Sequence, residues 1–147
     1  LGITTDSSVF PCNHPHGGLK GYSSSKPFVL NYNGITLKEF PINSHSIIGN
    51  KMVFSGGGYF RLLPYQFIKK ATSKSDYIMS YFHPRDFDFD QPIIEDLSTV
   101  RRFKSYVGLK SCRPKLEKWL GDFDFIDIAT ASEQINWDHE KVSLLDS

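Results

Sequence analysis

Residues 54–67 read FSGGGYFRLLPYQF, and the parsing of this stretch decides the fold. Gly56, Gly57 and Gly58 precede an aromatic pair, Arg61, and apolar residues at Leu63, Phe67, Ile68 and Ala71 with the spacing of one helix face. Pro64 suits the first turn of that helix, because its missing N–H would be unpaired there anyway and its φ is already near helical. The helix is predicted to end near Ser73–Ser75. Glycines in a row are costly to order, so they mark either φ > 0 or a close approach to the backbone. A site beside them is the expectation.

Working outward, residues 28–42, FVLNYNGITLKEFPI, place Asn33-Gly34 between two apolar-rich runs. That dipeptide predicts a hairpin, since both central residues of a type I′ turn need φ > 0. Before it, GITTDSSVFP (2–11) reads as a very short strand that breaks into a polar loop at Asp6, and CNHPHGGLKGYSSSKP (12–27) as a long Pro, Gly and Ser loop. After the helix, DYIMSYF (76–82) is a continuous apolar and aromatic run of strand length, the pattern of a strand covered on both faces, stopping at His83-Pro84. Strand, hairpin, helix and buried strand argue a mixed α/β layer structure.

From Pro92 the character becomes helical. LSTVRRFKSYV (97–107) and RPKLEKWLGDF (113–123) are amphipathic, the second with Pro114 in its first turn and Gly121 as a C-terminal stop. FDFIDIA (123–129) has the alternation of a last strand, and Thr130–Glu133 the spacing of a capping box opening a final short helix. The expected organisation is one domain in two parts, residues 1–92 and a helical extension over 93–147.

Composition narrows the function classes. At 147 residues the chain is one ordinary domain's worth, with 14% aromatic residues and a net charge of +1. So small a charge, with Lys and Arg scattered, generates no field to gather nucleic acid. No apolar run approaches membrane-spanning length, so no membrane insertion is expected. Cys12 and Cys112 lie far apart without a C-x-x-C pattern and read as plain thiols of a reducing compartment. A cytoplasmic location follows as the expectation.

His83 is the foremost candidate for chemistry, because the carboxyl ends of strands form the active-site face of parallel α/β architectures; the alternative is that it only caps the strand end. Asp6 stands at a second strand-to-loop junction, where an ordinary Asx turn is the competing account. His14 and His16 have a spacing seen in metal sites but lack the further ligands such a site needs. Asp86, Asp88 and Asp90 resemble the opening of a calcium loop, yet Gln91 stands where glycine is required and Leu97 where the bidentate glutamate is required. Their alternation with Phe87 and Phe89 predicts an extended segment with one wet face. No Lys-Ser or Lys-Thr follows Gly58, so the glycine run is not a phosphate cradle, and no G-x-S-x-G elbow supplies a serine nucleophile.

TDSSVFP (5–11), LKEFPI (37–42), GGGYFRLLPY (56–65) and YFHPRDFDFDQP (81–92), continued by RRFKSYVGL (101–109), resemble in order and separation the C-terminal half of bacterial polysaccharide deacetylases, the carbohydrate esterase family four type associated with exopolysaccharide and O-antigen synthesis. The resemblance implies the C-terminal part of a distorted (β/α) barrel followed by a helical extension. It implies removal of acetyl groups from N-acetylated polysaccharide by a divalent metal, usually zinc, held by one Asp and two His. His83 matches the late motif whose histidine protonates the departing amine, and an imidazole suits that role because it titrates near neutrality. Asp6 matches a supporting carboxylate lining the site. For substrate, the reading assigns Gly57 and Gly58 to backbone approach, Tyr59 to a ring face and Arg61 to a donor fork toward substrate or a carboxylate; the alternative is that the glycines shape a turn and Arg61 pairs with a surface acid. Arg61→Lys is expected to lower turnover without unfolding the chain. Where the family commonly has Trp and Glu after the His-Pro, this chain has Arg85 and Asp86.

The family's metal ligands and catalytic base belong before the motif matched by TDSS. The expectation is therefore a piece of a longer enzyme, binding no metal and inactive alone, with a non-catalytic glycan-binding or scaffold role as the alternative. An incomplete barrel exposes strand edges and is expected to self-associate or pair with its missing half.

Overall fold

The structure, a computed structural model, describes residues 2–9, 25–47, 50–139 and 142–144. The chain is mixed α/β and divides into two compact units, residues 1–44 with 125–147, and residues 45–124. Residue 92 is not a boundary between them. No helix among the described residues is long and apolar enough to cross a membrane.

The first unit is built on the predicted hairpin. β2 (Phe28–Tyr32) and β3 (Ile35–Glu39) pair antiparallel across Asn33 and Gly34, whose φ values of 49° and 78° are those of the expected turn. β1 (Thr5–Asp6) lies parallel to β3, and β6 (Val142–Leu144) parallel to β2, giving the order β1-β3-β2-β6. Phe28, Val29 and Leu30 are all buried, so β2 is covered on both faces at its start, while the turn end of the hairpin is exposed. Val9, Phe28 and Leu30 form an apolar cluster against which Leu37 packs. Further along, the Phe40 ring meets Trp137 edge-on with centroids 5.5 Å apart, and Lys38 Nζ sits 5.1 Å above the same indole while donating to Ser132 Oγ.

FDFIDIA does not make a strand. Residues 123–127 are irregular, and Asp127 caps α5 (Ile128–Gln134) by accepting from the Thr130 N–H at 2.8 Å. Among the described residues this segment pairs with no strand of the sheet β1-β3-β2-β6. Thr130 is consequently the donor to the cap and not the cap itself.

The second unit opens with a two-stranded ribbon, β4 (His45–Ile47) with β5 (Asn50–Met52), and is otherwise helical: α1 (Gly57–Leu62), α2 (Tyr65–Thr72), α3 (Thr99–Tyr106) and α4 (Leu109–Asp122). α2 runs where the apolar repeat predicts, behind Pro64, with Ile68 and Ala71 buried and Ser73 as its C-cap. α1 and α2 both pack on α4. Trp119 of α4 is fully buried, its indole N–H bonded to Thr72 Oγ1 at 2.8 Å and its ring 5.2 Å from Phe60. Cys112, also fully buried, has its thiol pushed up to about 11, chiefly by burial, which makes it inert.

α4 starts five residues before Pro114, so this proline lies inside the helix and Gly121 falls just before its last residue. The start is set by Gly108, whose φ is 70° and whose Cβ, if it had one, would lie 2.5 Å from the Arg61 carbonyl oxygen. Only glycine fits there.

Candidate functional site

The glycine run and the segment leading to His83 are stitched together. The Tyr81 N–H donates to the Ser55 carbonyl at 3.2 Å and the Gly57 N–H donates to the Tyr81 carbonyl at 3.0 Å, while Ser55 Oγ donates to the Met79 carbonyl at 2.7 Å. Gly56 and Tyr81 form a single parallel bridge. Gly56 is extended, so its conformation does not demand glycine; space does, because a Cβ there would lie 1.8 Å from the Tyr81 carbonyl oxygen. Immediately afterwards Gly57 takes φ 55° and the chain winds into α1. The ladder therefore ends after one rung. That is why DYIMSYF is not the doubly covered strand its composition predicts: residues 76–82 are intermediate or exposed, and only Tyr81 makes the bridge. Gly58 is exposed, and a Cβ on it would meet only ordinary contacts.

Arg61 is 6% exposed. Its Nη1 donates to the carbonyls of Ser105 and Val107, and its Nη2 to that of Lys104. These are carbonyls of the last turn of α3 and of its C-cap Val107, which lack helical partners, and a guanidinium satisfies them while complementing the negative end of the helix. Nε lies 3.1 Å from Asp86 Oδ1, close enough for charge pairing but misaligned for a hydrogen bond. Lys115 of α4 in turn donates to the carbonyls of Phe60, Arg61 and Leu63 at the end of α1, and burial lowers its affinity for a proton. The donor fork is thus aimed at a carboxylate and at backbone, all inside the protein. The pairing is buried rather than superficial, and none of these contacts is available to a ligand.

Asp86 is 3% exposed and links that fork to the histidine. Its Oδ2 accepts from the His83 N–H at 2.9 Å, and its own N–H donates to the His83 carbonyl at 2.9 Å. The stretch Pro84–Asp86 is a 3-10 turn and not the extended wet-faced segment read from the Asp-Phe alternation. Burial of Asp86 against Arg61 draws the chain inward.

His83 itself is exposed. Its ring stands edge-on to Tyr81, centroids 4.8 Å apart, with Nε2 hydrogen-bonded to the Tyr81 hydroxyl. Phe82, between them, turns the other way and packs edge-on against Phe60 at 4.9 Å. The result is an imidazole at the surface on a backbone held by the glycine bridge before it and the buried ion pair after it. Tyr59, two residues beyond Gly57, is 45% exposed, and Tyr81 is 43% exposed. Of the residues expected at the site, Gly57, Gly58, Tyr59, Arg61 and His83 all belong to the second unit.

Asp6 belongs to the first unit. It is half-buried, accepts from Ser8 Oγ at 2.9 Å and lies in register with Glu39. Glu39, which the sequence reading passes over, is fully buried; among the described residues Oε1 accepts from the Val9 N–H at 2.8 Å and Oε2 has no hydrogen-bond partner. Burial above all, with the charge of the neighbouring Asp6 carboxyl, pushes Glu39 up to about 7 against the opposing backbone N–H groups of Val9 and Ser8.

Among the described residues no group of three or more His, Cys, Asp or Glu is placed to hold a metal ion, so these residues do not fit the zinc centre of the resembled enzymes. His14 and His16 lie outside the described residues. Asp86 and Tyr81 were legible in principle: an acid three residues after His83 has capping-box spacing, and a Tyr two residues before it shares its face on an extended segment.

No curated protein and no solved structure matched the chain. One protein-family profile did, over residues 7–133, which takes in the hairpin, the glycine run, His83, helices α1 to α4 and all but the last residue of α5. The chain belongs to the family described as the domain of unknown function DUF3473.

Proposed function

We propose that this chain is the C-terminal portion of a metal-dependent polysaccharide N-deacetylase, with His83 as the general acid. The observation that carries the reading is the placement of His83: an exposed imidazole whose backbone is fixed on both sides and whose ring stands against that of Tyr81. The family supports the same reading, since DUF3473 occurs in polysaccharide deacetylase-related proteins. Proton transfer to a leaving amine needs a donor held at a set distance, and a group on a rigid frame meets that need better than one on a loose loop. As the C–N bond breaks, His83 gives its proton to the nitrogen, which departs as the free amine. Tyr81 holds the ring, and Tyr59 offers a flat apolar face of the kind on which sugar rings rest.

The (β/α) barrel of the resembled enzymes would be completed by residues other than those described, and the same residues would hold the metal that supplies activated water. In this reading Arg61 is not a substrate ligand. It is the internal strut that keeps Asp86, and through it the His83 backbone, in place.

Titration of an N-acetylglucosamine oligomer into the chain, followed by NMR, tests the binding half of the reading. Saturable shifts at His83, Tyr59 and Tyr81 are expected; an unchanged spectrum at millimolar sugar would contradict it. Binding without hydrolysis in the intact native protein would favour the non-catalytic glycan-binding role.

A further inference from the structure

The most anomalous group in the first unit is the carboxyl of Glu39. A carboxylate shut away from water is tolerated only when donors reach its oxygens. Among the described residues Oε1 has one, the Val9 N–H, and Oε2 has none. The polar neighbour is a second carboxyl, Asp6, brought alongside by the parallel register of β1 and β3. Two ionised carboxylates in that position would repel each other and leave a buried oxygen without a donor. One proton between them removes both difficulties, because a protonated carboxyl becomes a donor to its neighbour. Asp6 is half-buried and already accepts from Ser8, whereas Glu39 is wholly buried, so the proton belongs on Glu39.

We propose that Glu39 is held protonated and donates from Oε2 to Asp6, so that the pair carries one negative charge and Glu39 is a positioning residue that fixes the Asp6 carboxylate. Burial of Glu39 acts in the same direction. Among the described residues Asp6 is the titratable group facing it: Phe28, its register partner on β2, is apolar, and Lys38, next along β3, is engaged with Ser132 and Trp137. The consequence for activity rests on the deacetylase reading, in which Asp6 is a supporting carboxylate; the sharing of the proton does not.

Carboxyl-carbon NMR of the intact chain over a pH series tests this. Glu39 is expected to titrate near 7, well above its ordinary 4.5, and in Asp6→Asn, whose amide donates to a carboxylate, its midpoint should fall back toward the ordinary value. A Glu39 midpoint near 4.5 in the unaltered chain, or one unmoved by Asp6→Asn, would overturn the proposal. A folded state that binds this proton more tightly than the unfolded chain is most stable at low pH. Its contribution therefore declines between about 4.5 and about 7 and is level above. Glu39→Gln keeps a donor toward Asp6 and an acceptor for Val9, so it should fold and lose that decline; a decline that survives the substitution would count against Glu39 as its source. If Glu39 titrates near 7 while the intact protein removes no acetyl groups, the shared proton stands and the deacetylase reading falls.

Discussion

At the scale of single residues, the ion pair between Arg61 and Asp86 is the feature on which the second unit's site depends. Both side chains are about 5% exposed. Removing one partner of such a pair strands the other charge in the interior, at a cost of about 3–5 kcal/mol. Arg61→Ala and Asp86→Ala should each lower stability by that order, read from chemical unfolding. Arg61→Lys should also destabilise, because a single ammonium cannot serve the carbonyls of Lys104, Ser105 and Val107 and the Asp86 carboxylate at once. The earlier expectation, lowered turnover on an intact fold, changes accordingly: stability moves first. An Arg61→Lys chain as stable as the original would contradict this. The sequence reading anticipated the carboxylate as one target of the fork but not its identity. Asp86 sits in an Asp-Phe alternation that looks solvated, and nothing local reveals that a guanidinium from residue 61 will bury it.

At the scale of elements, the glycines divide by physical cause, and that division is testable. Gly56→Ala puts a methyl within 1.8 Å of the Tyr81 carbonyl oxygen, so the bridge must open and the fold should lose several kcal/mol. Gly58→Ala meets nothing closer than 3.6 Å and sits in the first turn of a helix, so it should be neutral or stabilising by up to about 1 kcal/mol. Thermal unfolding of the two variants separates them; equal effects would refute the assignment. What was legible here was local. Asn33-Gly34 specifies its turn by dihedral preference, and Pro64 with the spacing of Ile68 and Ala71 specifies α2. What was not legible depended on partners far along the chain. Among the described residues DYIMSYF has strand composition but pairs only through Tyr81 with Gly56, and FDFIDIA joins no strand. Pro114 was read as a helix start, whereas the start is set by Gly108 packing on the Arg61 carbonyl.

At the scale of the whole molecule, one family profile spans residues 7–133 although the chain forms two compact units, the first assembled from both ends of the sequence. Asp6 and Glu39 lie in the first, the glycine run and His83 in the second. His83 follows a one-rung bridge and not the strand end from which it was assigned, and the frame beneath it ties GGGYFR to YFHPRD, since Gly56 bridges Tyr81 and Arg61 pairs with Asp86. The central claim is that His83 donates the proton to the leaving amine. The most direct measurement is acetate release from an N-acetylated oligosaccharide by the intact native protein and by its His83→Ala and His83→Gln variants, with folding checked by circular dichroism. Loss of a general acid should cut kcat about 10²–10⁴-fold with KM little changed; kcat within a factor of about three of the unaltered protein, in a folded variant, would contradict the account.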